Sequence, residues 1–119
     1  MAARLRAALI HTETGRDLTV AFGLEPGCVD SLIVSRTPEF EQLLDEHERG
    51  ANICHTGHRS WDGSLLVAVD WSGDTVRLKA TDRTYTVNVS AVGEEDLAEA
   101  KRVLELMNFD QQFHLAIAQ

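Results

Sequence analysis

The stretch SLLVAVDWSGDTVRLKATDRTYTVNV, residues 64–89, decides the fold. Leu65, Val67, Val69 and Trp71 fall on alternate positions, and Ser72-Gly73-Asp74 then supplies a turn. Val76, Leu78 and Ala80 alternate against Arg77 and Lys79, Thr81-Asp82-Arg83 turns again, and Tyr85, Val87 and Val89 complete the pattern. Successive side chains on a strand point to opposite faces, so period-two spacing interrupted by two polar turns predicts a three-stranded antiparallel meander.

Toward the N-terminus, Leu5, Ala7 and Leu9 alternate, a polar stretch from Glu13 to Asp17 contains Gly15, and Leu18, Val20 and Phe22 alternate again. This predicts a hairpin, stopped by Glu25-Pro26-Gly27. A third strand is expected over about residues 29–35, with Leu32 and Val34 on one face and Ile33 on the other, and a short fourth over residues 51–56. Between them, Thr37-Pro38-Glu39 has the composition of a helix start, which predicts a helix over about 38–49 ending before Gly50. Phe40, Leu43, Leu44 and His47 would form its inward stripe, and Glu39, Glu41, Asp45, Glu46 and Glu48 its outer face.

Toward the C-terminus, Glu94, Glu95 and Asp96 suit the first turn of a second helix over about 94–107, with an apolar stripe of Leu97, Ala100, Val103, Leu104 and Met107. Asn108 is expected to end it in a left-handed conformation. Phe113, Leu115 and Ile117 alternate as a last strand. The expected fold is α+β: one domain over residues 1–119, with a mainly antiparallel sheet of about seven or eight strands and two helices packed on it.

A chain of 119 residues fits one domain and buries roughly two thirds of its surface on folding. No apolar run reaches the roughly 18–20 residues of a membrane span, and Ala7 to Ile10 is too brief a run for a secretory signal, so a cytoplasmic protein is expected. The net charge is −8, with six basic against nine acidic residues in 1–60 and five against ten in 61–119. Two Lys and nine dispersed Arg do not make the clustered cationic surface that phosphate binding requires, which disfavours nucleic acid as a partner. Cys28 and Cys54, a single pair in a domain with its own core, are expected as reduced thiols.

Cys54-His55-Thr56-Gly57-His58 places a thiolate and two imidazoles within five positions, and His47 could add a fourth ligand, a donor set suited to zinc. Against that, Cys54 and His55 would face opposite sides of a strand. As a nucleophile, Cys54 is a better candidate than Cys28, because His55, His58 and Arg59 lie near it whereas Glu25 and Asp30 flank Cys28; Asp62 or Asp70 could orient a histidine base. No nucleophile elbow, P-loop or dinucleotide glycine motif is present. Glu39, Glu41, Asp45, Glu46 and Glu48 instead make a dense acidic face that would steer a basic protein, and Arg59 and Trp61 form a second candidate contact. The expected function is therefore non-enzymatic: binding of a protein partner, in an inhibitor, immunity-type or adaptor role. The alternative is a small metal-binding or cysteine-dependent enzyme centred on Cys54, His55 and His58. A homodimer formed through a sheet edge or the acidic face is a third reading.

Overall fold

Two strands turn corners in this structure, a computed structural model that describes residues 2–56 and 64–118. The strands are β1 (Ala2–Glu13), β2 (Leu18–Leu24), β3 (Ser31–Arg36), β4 (Asn52–His55), β5 (Ser64–Ser72), β6 (Thr75–Ala80), β7 (Thr84–Asn88) and β8 (His114–Ala118), and the helix α1 is Glu94–Met107. They run side by side in the order β4-β3-β2-β1-β7-β6-β5-β8, and a further β4–β5 pairing closes the first seven into a ring. The result is the α+β fold expected, with the 64–89 meander present as β5, β6 and β7.

β1 and β5 are the corners. Residues Ala2 to Arg6 pair in parallel with β7, whereas Ala7 to Glu13 pair antiparallel with β2. Likewise Ser64 and Leu65 pair with β4, and Ala68 to Ser72 pair in parallel with β8. Each strand has a register irregularity where it changes partner, between Ala7 and Leu9 and between Leu66 and Ala68. An extra residue in one strand bends it and shifts the alternation by one. Hence Ala7 and Ile10 are buried while Leu9 is 47 % exposed, and Leu66, Val69 and Trp71 are buried while Val67 is 41 % exposed. The unbroken alternations expected for Leu5-Ala7-Leu9 and Leu65-Val67-Val69-Trp71 are corrected accordingly.

Inward side chains of the ring make one core, with Phe22, Leu32, Val34, Ile53, Val69, Trp71, Val76, Leu78 and Val87 among its fully buried members. α1 packs on β1 and β2 through Ala100, Val103, Leu104 and Met107, and its Lys101 ammonium stands 5.1 Å from the Trp71 ring. Burying four such apolar side chains on one stripe stabilises the helix, as the spacing implied. Asn108 does not end it in a left-handed conformation: its φ is −94°, and the left-handed residue is Gln111 at φ 55°. No helix among the described residues is long and apolar enough to cross a membrane.

The first expected helix is absent as such. Residues 38–49 form two short 3-10 segments, Pro38–Leu43 and Glu46–Glu48, separated by extended Leu44 and Asp45. Neither segment buries a residue, so no packed face offsets the cost of nucleating a helix. A continuous α-helix would also set Glu41 one turn from Asp45 and Asp45 one turn from Glu48, repulsions between like charges that the single Arg49, one turn on from Asp45, offsets only in part.

Candidate protein-docking site

β3 presents Leu32 and Val34 inward, and the same alternation carries Arg36 into the interior, where it is 2 % exposed. A buried guanidinium is tolerated only if its charge and its N–H groups are matched. All five N–H groups of Arg36 find acceptors. Nε donates to Glu41 Oε2 at 2.6 Å, and Nη2 donates to Glu41 Oε1 at 2.9 Å and Asp110 Oδ2 at 2.8 Å. Nη1 donates to Asp110 Oδ1 at 2.8 Å and to the Met107 carbonyl at 2.7 Å. The Phe109 ring covers the guanidinium at 4.3 Å. The hydrogen bonds to Asp110 and Glu41 raise the Arg36 pKa further, and in return Arg36 holds the Asp110 carboxyl below the usual range for aspartate.

Three separate pieces of chain meet at this one cation: the end of β3, the 3-10 segment through Glu41, and the end of α1 with the loop after it, through Met107 and Asp110. Glu41 must reach back to Arg36, which fixes how Pro38–Leu43 lies. The β1–β2 turn braces the same segment from the other side. Thr37 Oγ1 donates to Asp17 at 2.6 Å, Arg16 pairs with Glu39 at 3.1 Å, and the Arg16 guanidinium lies 5.7 Å from the Phe40 ring.

So held, the segment turns its apolar side chains outward. Phe40, Leu43 and Leu44 are 46 %, 77 % and 42 % exposed, which corrects the expected inward stripe. They line a cleft of about 290 Å³ together with Ser35, Glu48 and Asn52. Of the five acidic residues expected on this face, Glu39 is paired with Arg16 and Glu41 with Arg36, so their charges are matched within the molecule. Asp45, Glu46 and Glu48 are exposed, and no ion pair to them occurs among the described residues. Arg59 and Trp61 lie outside the described residues.

His47 sits with Asp45 and Glu48, the ligand atoms of all three within 4.8 Å of one another. This exposed trio could offer one imidazole and two carboxylates to a cation. It is distant in character from the Cys54-His55 pair. On β4, Ile53 is buried and His55 shares its inward face, where its ring meets Tyr85 edge-on at 5.9 Å; Cys54 points to the other face. The two donors are therefore not brought together, and His58 and Asp62 lie outside the described residues. Burial pushes the Tyr85 hydroxyl above its ordinary pKa. Cys28 and Cys54 are not joined in a disulfide, and Asp70 is exposed across from Arg77 on β6.

Arg36, Asp110 and Phe109 were not among the expected site residues. The signal for Arg36 was its parity with Leu32 and Val34; nothing local marked Asp110, which lies 74 positions away. Comparison of the chain with protein-family models, curated proteins and solved structures finds no match, so what this surface does rests on its geometry and charge.

Proposed function

We propose that this protein acts by binding another protein with a basic surface, in an inhibitor, immunity-type or adaptor role. One observation carries the reading: Phe40, Leu43 and Leu44 stand exposed at a braced cleft directly beside Asp45, Glu46 and Glu48, which are exposed and have no ion pair among the described residues. Apolar anchors at the centre of a contact supply most of its binding energy, and unpaired charges around them steer encounter and select a partner of opposite sign. A segment already fixed by buried ion pairs also loses little freedom on binding. The alternative, a metal-binding or cysteine-dependent enzyme centred on Cys54, His55 and His58, draws less support because Cys54 and His55 face opposite sides of β4.

The test is retention of a partner from lysate of the source cells at low salt by the wild-type chain, by Leu43→Asp and by the triple reversal Asp45→Lys, Glu46→Lys, Glu48→Lys. A single stoichiometric partner, basic by sequence, held by wild type and lost by both variants is the expected result. A partner held equally by all three overturns this surface as the site.

A further inference from the structure

We propose that β8 is a self-association edge, through which two copies of this chain join their sheets antiparallel about a two-fold axis at Ala116. Closing the ring pairs both edges of β4, but β8 pairs only with β5, and no described strand meets its other edge. An unpaired edge leaves a row of N–H and C=O groups directed at solvent, and monomeric proteins block such rows with Lys, Pro or a bulge. β8 reads His114-Leu115-Ala116-Ile117-Ala118, with none of the three.

Charge identifies the occupant. In a molecule of net charge −8, two copies repel across most of their surfaces, whereas β8 has no acidic side chain to bring against itself. The pattern is also self-complementary. A two-fold at Ala116 sets Leu115 opposite Ile117 of the second copy and Ile117 opposite Leu115, with small Ala118 opposite His114. Opposed residues in antiparallel strands project to the same face, so these apolar pairs add to one another. That face has room for them. Leu115 and Ile117 are half-buried and line an open depression of about 720 Å³ between β8 and the end of α1, rimmed by Glu105, Asn108 and Gln111. The second copy's Leu115 and Ile117 would enter it, placing the two α1 helices on the same side of one continuous sheet.

Ala116 gives a clean test, because its register partner on β5 is the exposed Asp70, so a lysine there would stand beside an opposite charge within its own chain. Across the two-fold the same substitution sets like charges face to face. Sedimentation velocity of the full chain over a range of concentrations is expected to show a dimer of the 13.2 kDa chain. It should weaken at least about tenfold in Ala116→Lys and return when Ala116→Lys is mixed with Ala116→Glu. If Ala116→Lys does not fold, hydrogen exchange of the wild-type chain decides: β8 amides should gain protection as concentration rises. A chain monomeric at every concentration overturns the proposal. So does a dimer as tight in folded Ala116→Lys as in wild type, or one whose β8 amides exchange independently of concentration.

Discussion

Removing the Arg36 guanidinium leaves Glu41 and Asp110 facing each other without a cation and the Met107 carbonyl without its donor. Breaking a buried ion pair costs about 3–5 kcal/mol, and the lower end applies because the Asp110 side chain is 44 % exposed and rehydrates. Arg36→Met should therefore lower stability by about 3 kcal/mol, read from urea denaturation. Arg36→Lys should recover only part of this, because a lysine has three donors and no planar fork to serve two carboxylates at once. The same contact sets an acid limit. Since the folded Asp110 carboxyl is held below its unfolded value, near 3.9, its contribution is fully present above that value and is lost as pH falls through the lowered one. Asp110→Asn should be less stable at neutral pH and show a shallower loss below about pH 4 in thermal melts. Burial of Tyr85 acts in the opposite direction: its hydroxyl stays protonated longer in the folded state, so stability falls as pH rises past about 10, and Tyr85→Phe should flatten that alkaline limb.

Gly50, between the second 3-10 segment and β4, shows how one backbone position ties elements together. Its φ is 132°, and a Cβ there would lie 2.5 Å from Gln112 Cδ. Gln112 cannot retreat freely. Its Oε1 accepts from the Ala51 N–H at 3.3 Å and its Nε2 donates to the Leu66 carbonyl at 3.2 Å, joining the start of β4 to the bulge of β5. Gly50→Ala should cost about 2–3 kcal/mol, combining backbone strain with the displaced amide, and Gln112→Ala about 1 kcal/mol. In the Gln112→Ala background the clash is gone, so the double variant should fall short of the sum by about 1 kcal/mol, measured by a denaturation cycle. Elements governed by short-range pattern were legible in the sequence: the meander, the β1–β2 hairpin and α1 all announce themselves by spacing. The bulges at Leu66–Ala68 and Ala7–Leu9 were not, because they answer to a change of partner strand that no local pattern records. The failed helix over 38–49 has the same origin. Its apolar spacing is helical, but Glu41 is claimed by Arg36 and nothing packs on the stripe, so Phe40, Leu43 and Leu44 end outside. The candidate site was half legible as a result, its acids visible in the sequence and its apolar anchors assigned to the wrong side.

At the scale of the whole molecule, a net charge of −8 acts on two kinds of encounter with opposite sign. A basic partner approaching Asp45, Glu46 and Glu48 is attracted, and salt screens that attraction over a Debye length that shrinks from about 30 Å at 0.01 M to about 8 Å at physiological ionic strength. A second copy approaching β8 carries the same net negative charge and is repelled overall, and the same salt screens the repulsion. Raising ionic strength should therefore weaken capture of the partner, chiefly by slowing association, while tightening self-association through β8. Titrating salt in two parallel experiments separates the surfaces: partner binding by stopped-flow mixing, and sedimentation of the protein alone. The triple reversal at Asp45, Glu46 and Glu48 raises the net charge by six units, to −2. It should abolish capture at low salt and invert the salt dependence of any residual association, because lysines repel a basic partner and salt screens that repulsion; by reducing the mutual repulsion of two copies, it should also strengthen the dimer at low salt. Partner binding that is insensitive to salt would show that the carboxylates beside Phe40, Leu43 and Leu44 do not steer it, and a dimer that loosens as salt rises would place its contact on charged residues rather than on the neutral edge of β8.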